Sequence, residues 1–201
     1  MKKLHIACLG DSLTYGYGIR KEETWVFLAG RELAPMVVLR NYGLNGDTTA
    51  GMLKRLHADI LPSRPEAVLL MGGVNDIAYD GSTAPARVNI PDMARGIEDR
   101  GVIPLIGIPP PYIPSPREEW GSLSDLIKTA AEYNRYADWL RDFCVSSDYR
   151  TVDFRACLEE RVKRDKTTPD SYFFDGLHFN AKGHQVLAAC MVATVRLLWF
   201  T

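Results

Sequence analysis

Short, mainly apolar runs alternate with longer amphipathic segments along this 201-residue chain, and the alternation limits the fold more than any other feature. The runs at 4–9 (LHIACL), 67–71 (AVLLM) and 102–108 (VIPLIGI) predict buried strands. Two weaker runs, at 36–39 and 149–152, predict two more. Strands that are apolar on both faces are typical of a parallel sheet with helices packed against each side.

Helical periodicity fills the intervals between the predicted strands. The patterns predict helices over 25–33, 48–61, 92–100, 124–143 and 181–199. This order of strands and helices predicts an α/β fold, a three-layer α/β/α sandwich with a central five-stranded parallel sheet, built as one domain over residues 1–201. Ligands of such sheets bind beyond the carboxyl ends of the strands, so functional residues are expected in the loops at that edge.

Composition narrows the function classes. Hydrophobic residues make up 46% of the chain and charged residues 24%, as in an ordinary globular protein. The formal net charge of −1 produces no field that would attract nucleic acid, so no nucleic-acid partner is expected. No run approaches the roughly 18 apolar residues of a membrane-spanning helix, so no integral membrane segment is expected.

The N-terminus and the cysteines favour a cytoplasmic location. The apolar stretch after Lys3 is interrupted too soon to act as a signal peptide. The cysteines show neither a CxxC spacing nor the density of a disulfide scaffold, so we expect reduced thiols. These cysteines are Cys8, Cys144, Cys157 and Cys190. Nothing in these patterns specifies an oligomeric state.

Two loop segments supply the parts of a nucleophile and a base. Residues 10–16 (GDSLTYG) follow the first predicted strand, and Ser12 there can present its hydroxyl to a cleft. Asp175 and His178 lie three positions apart before the last predicted helix, so the carboxylate can orient the imidazole. Each segment alone has a plainer interpretation. Asp11 or Ser12 can simply cap a helix, and an Asp-x-x-His pair can bind zinc, which then needs a third protein ligand.

Two further segments supply hydrogen-bond donors. Residues 45–48 (NGDT) follow the second predicted strand, where Gly46 lets its backbone N–H approach a ligand. Residues 72–76 (GGVND) follow the third, where the Asn75 amide can donate into the same cleft. Taken alone, the first segment is better explained as a simple turn followed by a helix cap, and Asp76 can hold the second through backbone bonds.

The four segments together are more specific than any one of them. Acyl transfer needs a nucleophile, a general base, an orienting carboxylate and at least two oxyanion donors, and the segments supply all of these in order. On these residues the chain resembles the SGNH hydrolases, also called GDSL esterases and lipases. The matching blocks are Gly10-Asp11-Ser12-Leu13, Gly46, Gly73-x-Asn75-Asp76 and Asp175-x-x-His178.

The resemblance implies a flavodoxin-like fold and a serine ester hydrolase. It implies a catalytic role for Ser12, Asp175 and His178. It also implies an oxyanion hole formed by the backbone N–H groups of Ser12 and Gly46 and the side-chain amide of Asn75. No cofactor and no metal are expected.

Two positions near the end of the motif depart from the family's usual pattern. Phe179 stands where the family often has proline after the histidine, but the catalytic pair itself is unchanged. His184 stands in the final helix where an aromatic residue is common, and we expect it to be a packed or surface residue.

The expected substrate is a small acyl ester or thioester, with lysophospholipids and acetylated sugars as open alternatives. Specificity is expected in the loops. The residues expected to contact substrate are Asp11, Tyr79, Tyr112 and Trp120. The last two belong to a proline-rich stretch at 109–120, which can either wall a cleft or pack against the body of the protein.

Two other functions compete with this interpretation. A non-catalytic carbohydrate- or lipid-binding module on the same fold usually lacks one of the catalytic parts, whereas this chain keeps them all. An α/β-hydrolase carries its nucleophile in a G-x-S-x-G pentapeptide, and none surrounds Ser12.

Overall fold

A computed structural model describes residues 3–115 and 122–200 of the protein. The strands are β1 (Leu4–Gly10), β2 (Val37–Gly43), β3 (Ala67–Met71), β4 (Ile103–Ile108) and β5 (Arg150–Asp153). They form one sheet in the order β2-β1-β3-β4-β5, and every neighbouring pair is parallel. This is the strand order of flavodoxin-like sheets, so the predicted α/β fold is confirmed.

Helices follow the strands and cover both faces of the sheet. The α-helices are α1 (Ser12–Tyr15), α2 (Trp25–Leu33), α3 (Thr49–Arg55), α4 (Val74–Asp80), α5 (Ala84–Glu98), α6 (Leu123–Ser146), α7 (Phe154–Asp165) and α8 (Ala181–Trp199). Among the described residues, no helix is long and apolar enough to cross a membrane.

Alternate residues of β1 show the two buried layers. Ile6 and Cys8 belong to a core that includes residues of α2, α7 and α8. Ala7 and Leu9 belong to a second core, built with residues of α3 to α6. Because successive side chains of a strand point to opposite faces, the sheet separates the two cores, and its edge is left to the loops.

Several boundaries differ from the predicted ones. α5 begins at Ala84 rather than at residue 92, and Pro91 lies inside it. Pro91 suggests a break in the sequence, but tertiary packing overrides this local signal. The predicted helix at 48–61 is α3 followed by a π-helical turn (Leu56–Ile60) and a 3₁₀ turn (Leu61–Ser63).

A disulfide bond joins α7 to α8. It links Cys157 to Cys190, so the expectation of reduced thiols is wrong for this pair. The sequence does not predict this bond. Cys157 and Cys190 meet only because α7 packs against α8, and α7 itself gives little sequence signal because it carries few apolar residues. Cys8 and Cys144 are buried free thiols.

Candidate active site

Three strands deliver polar groups to one point beyond the sheet. Ser12 follows β1, Gly46 follows β2 and Asn75 follows β3, so they meet where the strand order reverses between β1 and β3. This switch point is where open α/β sheets bind ligands. With His178, these residues line a cavity of about 430 Å³.

The turn between β1 and α1 fixes the position of Ser12. The Leu13 N–H donates to Asp11 Oδ1 at 2.9 Å, so Asp11 caps α1 and Ser12 does not. Gly10 leaves no room for a side chain, because a Cβ there would lie 2.5 Å from the Met71 carbonyl oxygen. The helix-cap interpretation of this segment is therefore satisfied by Asp11, and the Ser12 side chain is not used as the cap.

Ser12, His178 and Asp175 form a continuous chain of hydrogen bonds. Ser12 Oγ lies 3.0 Å from His178 Nε2, and His178 Nδ1 lies 2.6 Å from Asp175 Oδ2. An imidazole that is protonated on Nδ1 donates to Asp175 and leaves Nε2 to accept the hydroxyl proton of Ser12. This is the geometry that activates a serine nucleophile.

The Asp175 carboxylate is held as an anion by its own turn. Its Oδ1 accepts the backbone N–H groups of Leu177 at 2.9 Å and His178 at 2.6 Å. Burial raises the pKa of Asp175, but the hydrogen bonds from His178 and the two amides outweigh burial and hold the pKa below its usual value. The group that faces the imidazole is therefore negatively charged at neutral pH.

Phe179 stabilises the turn at the position where the family often has a proline. It forms an antiparallel bridge with Phe173, and the two rings pack with their centroids 4.5 Å apart. The Phe179 side chain is 1% exposed. The turn that carries His178 is thus fixed by backbone pairing and a buried ring rather than by a pyrrolidine.

The Asn75 side chain is held by a hydrogen bond, and Gly46 has a backbone conformation that few other residue types adopt. One Asn75 Nδ2–H donates to the Asp47 carbonyl oxygen at 2.9 Å, which leaves the second proton for the cavity. Gly46 has a φ of 73°, a conformation that favours glycine. Both residues lie in the wall of the cavity that Ser12 enters.

Arg55 of α3 ties the loops of this region together, and sequence reasoning missed it. Its guanidinium donates to Asp47 Oδ2 at 2.9 and 2.5 Å, to the Tyr42 carbonyl at 2.7 Å and to the Gly10 carbonyl at 3.1 Å. These groups belong to the ends of β1 and β2 and to the loop that receives Asn75. The only signal in the sequence is an arginine on a helix that faces glycine loops.

Asp76, the last residue of the GGVND segment, has a structural role. Asp76 is 0% exposed, and it accepts the Thr49 backbone N–H at 3.0 Å and the Thr49 hydroxyl at 2.5 Å. Burial raises its pKa, which these two bonds lower in part. Asp76 therefore fastens α4 to the start of α3, as the plainer interpretation of the segment expected.

Comparison with known proteins agrees with this geometry. The profile of the GDSL-like lipase/acylhydrolase family matches residues 8–186. The chain belongs to this family. Esterase TesA of Pseudomonas aeruginosa is 33% identical over 114 residues, which cover 53% of this chain and 56% of TesA. An arylesterase of Vibrio mimicus is 34% identical over 110 residues, covering 52% and 55%. The chain thus matches about half the length of these curated relatives.

Solved structures show the same fold over nearly the whole chain. A G-D-S-L family protein of Veillonella parvula superposes with a TM-score of 0.76 at 19% identity and covers 98% of both chains. A lipase/acylhydrolase of Enterococcus faecalis gives 0.68 at 26% identity, covering 96% of this chain and 95% of its own. A carbohydrate acetylesterase family member of Sinorhizobium meliloti gives 0.74 at 21%, covering 96% and 98%.

The expected substrate contacts of this GDSL family member fall into different places. Tyr79 is 71% exposed and stands at the rim of the cavity, one helical turn beyond Asn75. Tyr112 lines the cavity but is only 4% exposed, since its backbone is bracketed by Asn134 of α6 at 3.1 and 3.2 Å. The stretch that contains Tyr112 therefore both packs against the body and walls the cleft. Trp120 lies outside the described residues.

The prediction that Asp11 contacts substrate is not supported. Its side chain is 0% exposed, and it is not among the residues that line the cavity. The carboxyl points behind Ser12 because it caps α1. Tyr17, which sequence reasoning missed, reaches the cavity instead, with its ring 4.6 Å from the imidazole of His178.

The remaining wall of the cavity is mostly apolar. Its aliphatic residues come from α4, α6 and the His178 turn, and they are Val74, Ile77, Leu126 and Leu177. A larger space of about 640 Å³ lies against the edge strand β2 and α2, but it contains neither Ser12 nor His178. Within residues 3–115 and 122–200, no group of three or more His, Cys, Asp or Glu side chains is placed to hold a metal ion.

Proposed function

We propose that the protein hydrolyses carboxylic esters, and thioesters, of small acyl groups through an acyl-enzyme on Ser12. The observation that carries the proposal is the hydrogen-bonded chain Ser12–His178–Asp175 at the mouth of a cavity with an apolar wall. The fold alone supports no activity, but this constellation supplies each part that acyl transfer requires.

The first step is attack on the acyl carbonyl. His178 Nε2 takes the proton as Ser12 Oγ bonds to the carbonyl carbon, and Asp175 balances the positive charge that the imidazole acquires. His178 then gives this proton to the departing alcohol or thiol. Water repeats the sequence on the acyl-enzyme and releases the acid, so Ser12 and His178 return to their starting states.

The negative charge on the tetrahedral oxygen is stabilised by the hydrogen-bond donors of the oxyanion hole. We assign these to the backbone N–H groups of Ser12 and Gly46 and to the free Asn75 proton. Such donors act without reorganisation because the protein holds them in place before the reaction, and each is typically worth about 3–4 kcal/mol. The bond from Asn75 to Asp47 and the Arg55 contacts to Asp47 support this arrangement.

The cavity favours a small or medium apolar acyl group. Leu126 and Ile77 close its inner side, while Tyr79 and Asn45 leave the outer rim open to a leaving group of variable shape. The names of the relatives, esterase and arylesterase, are consistent with ester substrates.

Ser12→Ala tests the proposal. The variant is expected to lose hydrolysis of p-nitrophenyl acetate by about 10⁴-fold or more, since nucleophile and base act as one unit. It is also expected to lose covalent labelling by a fluorophosphonate probe. Ser146→Ala, at the exposed end of α6, is the matched control and is expected to keep both.

Retained turnover or labelling in Ser12→Ala would exclude Ser12 as the nucleophile. A wild-type protein that takes no label and hydrolyses none of a panel of p-nitrophenyl esters, acetylated xylan and acyl-CoA would support the non-catalytic binding module instead. Circular dichroism of each variant establishes that the fold is intact.

A further inference from the structure

Asp11 is a buried carboxyl group directly before the nucleophile. Its side chain is 0% exposed and accepts one hydrogen bond, from the Leu13 N–H at 2.9 Å. Its second oxygen, Oδ2, has no partner among the described residues. A buried carboxylate ordinarily needs a cation or several donors to offset its loss of water, and Asp11 has one amide.

The groups around Asp11 do not favour a negative charge there. Tyr133 and Tyr136 of α6 are fully buried behind it, with hydroxyls that also lack partners in the described part of the chain. An ionised Asp11 would raise the pKa of both phenols. Asp47, from the loop after β2, and Asp76, in the first turn of α4, add two further negative charges.

The positive groups near Asp11 are otherwise engaged. Arg55 donates to the carbonyl of Gly10, the residue before Asp11. Its guanidinium donors are used by that carbonyl, by the Tyr42 carbonyl and by Asp47, and none of these bonds goes to Asp11. His178 is the one group in this neighbourhood whose protonation favours an ionised Asp11. Burial dominates this balance and raises the pKa of Asp11 to about 7, against the lowering by Leu13 and His178.

We infer that Asp11 is a positioning residue that works as a neutral carboxylic acid, holding the first turn of α1 so that the Ser12 hydroxyl and N–H face the substrate. The inference rests on the proposed function, since it assigns Asp11 to the support of the same nucleophile. Oδ1 remains the acceptor for Leu13 in the neutral acid. The proton occupies Oδ2, the oxygen that has no hydrogen-bond partner among the described residues.

An amide can replace a neutral carboxylic acid at such a position, so the test compares an amide at residue 11 with an apolar side chain. Asp11→Asn keeps the size and the acceptor for Leu13 but carries no charge. Asp11→Leu keeps the approximate size but removes the acceptor. We expect Asp11→Asn to hydrolyse p-nitrophenyl acetate at pH 6 within about threefold of the wild-type kcat. We expect Asp11→Leu to lose kcat by about 30-fold with little change in KM, which is less than the roughly 10²–10³-fold cost of removing an oxyanion donor because the donors are displaced and not deleted.

A matched control separates positioning from general stability. Asp153 is also a carboxylate N-cap, accepting the Ala156 N–H at 2.8 Å at the start of α7, away from the cavity. Asp153→Leu is expected to lower the thermal midpoint without lowering kcat. Equal kcat losses in Asp11→Asn and Asp11→Leu, or an unchanged kcat in Asp11→Leu, would overturn the inference.

Infrared spectroscopy tests the protonation of Asp11 directly. It requires neither enzymatic activity nor a folded Asp11→Leu variant. The infrared difference spectrum of wild type minus Asp11→Asn at pH 6 is expected to show the carbonyl stretch of a protonated carboxylic acid, which fades as the pH rises through about 7. A carboxylate band already at pH 6 would refute the neutral acid. Retained activity in Ser12→Ala would exclude Ser12 as the nucleophile of the proposed hydrolysis but would leave this titration of Asp11 intact.

Discussion

Asn75 has two amide protons and two different tasks for them. One proton is committed to the Asp47 carbonyl at 2.9 Å, and this bond fixes the plane of the amide. The other is thereby aimed at the cavity without any need to reorganise during the reaction. The strength of an oxyanion donor depends on this kind of prior orientation.

Asn75→Ala removes the oriented proton together with its anchor. We expect kcat for p-nitrophenyl acetate to fall by about 10²–10³-fold while KM changes little, because the lost bond forms mainly in the transition state. Steady-state kinetics at saturating substrate measure the effect. Asn89→Ala is the control, since Asn89 donates only to the Thr49 hydroxyl at 3.0 Å behind α3. A large rise in KM with kcat unchanged would show that Asn75 binds the ground state instead.

At this scale, residue types were readable from the sequence and their surroundings were not. The order of the motifs placed Ser12 in one loop and Asp175 and His178 in another, and the structure brings the two loops within hydrogen-bonding distance. Asp11 was expected at the substrate, although its neighbour Ser12 was placed well. A turn of one residue reverses the direction of a side chain, and no pattern in a single sequence reports which of two adjacent polar residues faces inward.

Secondary structure elements were predictable where their pattern was long and periodic. β3, α2 and α8 begin and end at the predicted residues. α4 and α7 were not predicted, since α4 has only 7 residues and α7, although 12 residues long, buries few apolar side chains. α4 nevertheless carries Asn75, so the element that matters for the site had the weakest signal. Its position depends on tertiary contacts such as Thr49 with Asp76.

The turn that carries Asp175 and His178 is shaped by contact with another loop. The Ile113 N–H donates to the Gly176 carbonyl at 2.9 Å, and Gly176 has a φ of 95°. A Cβ on Gly176 would lie 1.9 Å from the Ile113 carbonyl oxygen. Backbone atoms on both sides leave no flexible group to move away. Ile113 of the proline-rich stretch therefore fixes the backbone between Asp175 and His178.

Gly176→Ala is expected to separate these two loops. Strain in φ and the collision with Ile113 together should lower the free energy of unfolding by about 1–3 kcal/mol and shift His178 away from Ser12. Urea denaturation measures the first effect and the rate of fluorophosphonate labelling the second. Gly81→Ala is a matched control with a φ of 69° but nothing within 4 Å of its Cβ, so it carries the strain without the collision. Equal labelling rates in both variants would contradict the positional role of Gly176.

At the scale of the whole molecule, His184 and Asp11 are two buried groups that change the free energy of unfolding in opposite directions as the pH falls. His184 in the α8 core is 1% exposed, and its Nδ1 accepts the Trp25 N–H at 3.1 Å. Burial lowers its pKa from 6.5 to about 4, against a raising effect of Glu23. The folded state therefore resists a proton that the unfolded chain accepts, so His184 destabilises the fold as the pH falls from about 6.5 to about 4.

Asp11 acts in the opposite direction on the other side of the sheet. Its pKa is raised from 3.8 to about 7, so the folded state keeps a proton that the unfolded chain releases. The fold therefore gains stability from Asp11 as the pH falls from about 7 to about 4. At about 1.4 kcal/mol per pKa unit, the two contributions are about 3 and about 4 kcal/mol, opposite in sign over nearly the same range. In the wild type the two contributions therefore offset each other in part.

His184→Asn uncovers the balance. The Asn side chain can still accept from the Trp25 N–H but takes up no proton. We expect the free energy of unfolding, measured with urea from pH 7 to pH 4, to rise for this variant relative to wild type by about 3 kcal/mol as the pH falls. Asp11→Asn is expected to change in the opposite sense, and the double variant to follow wild type most closely. Parallel curves for wild type and both single variants would show that neither group titrates within the folded protein in this range.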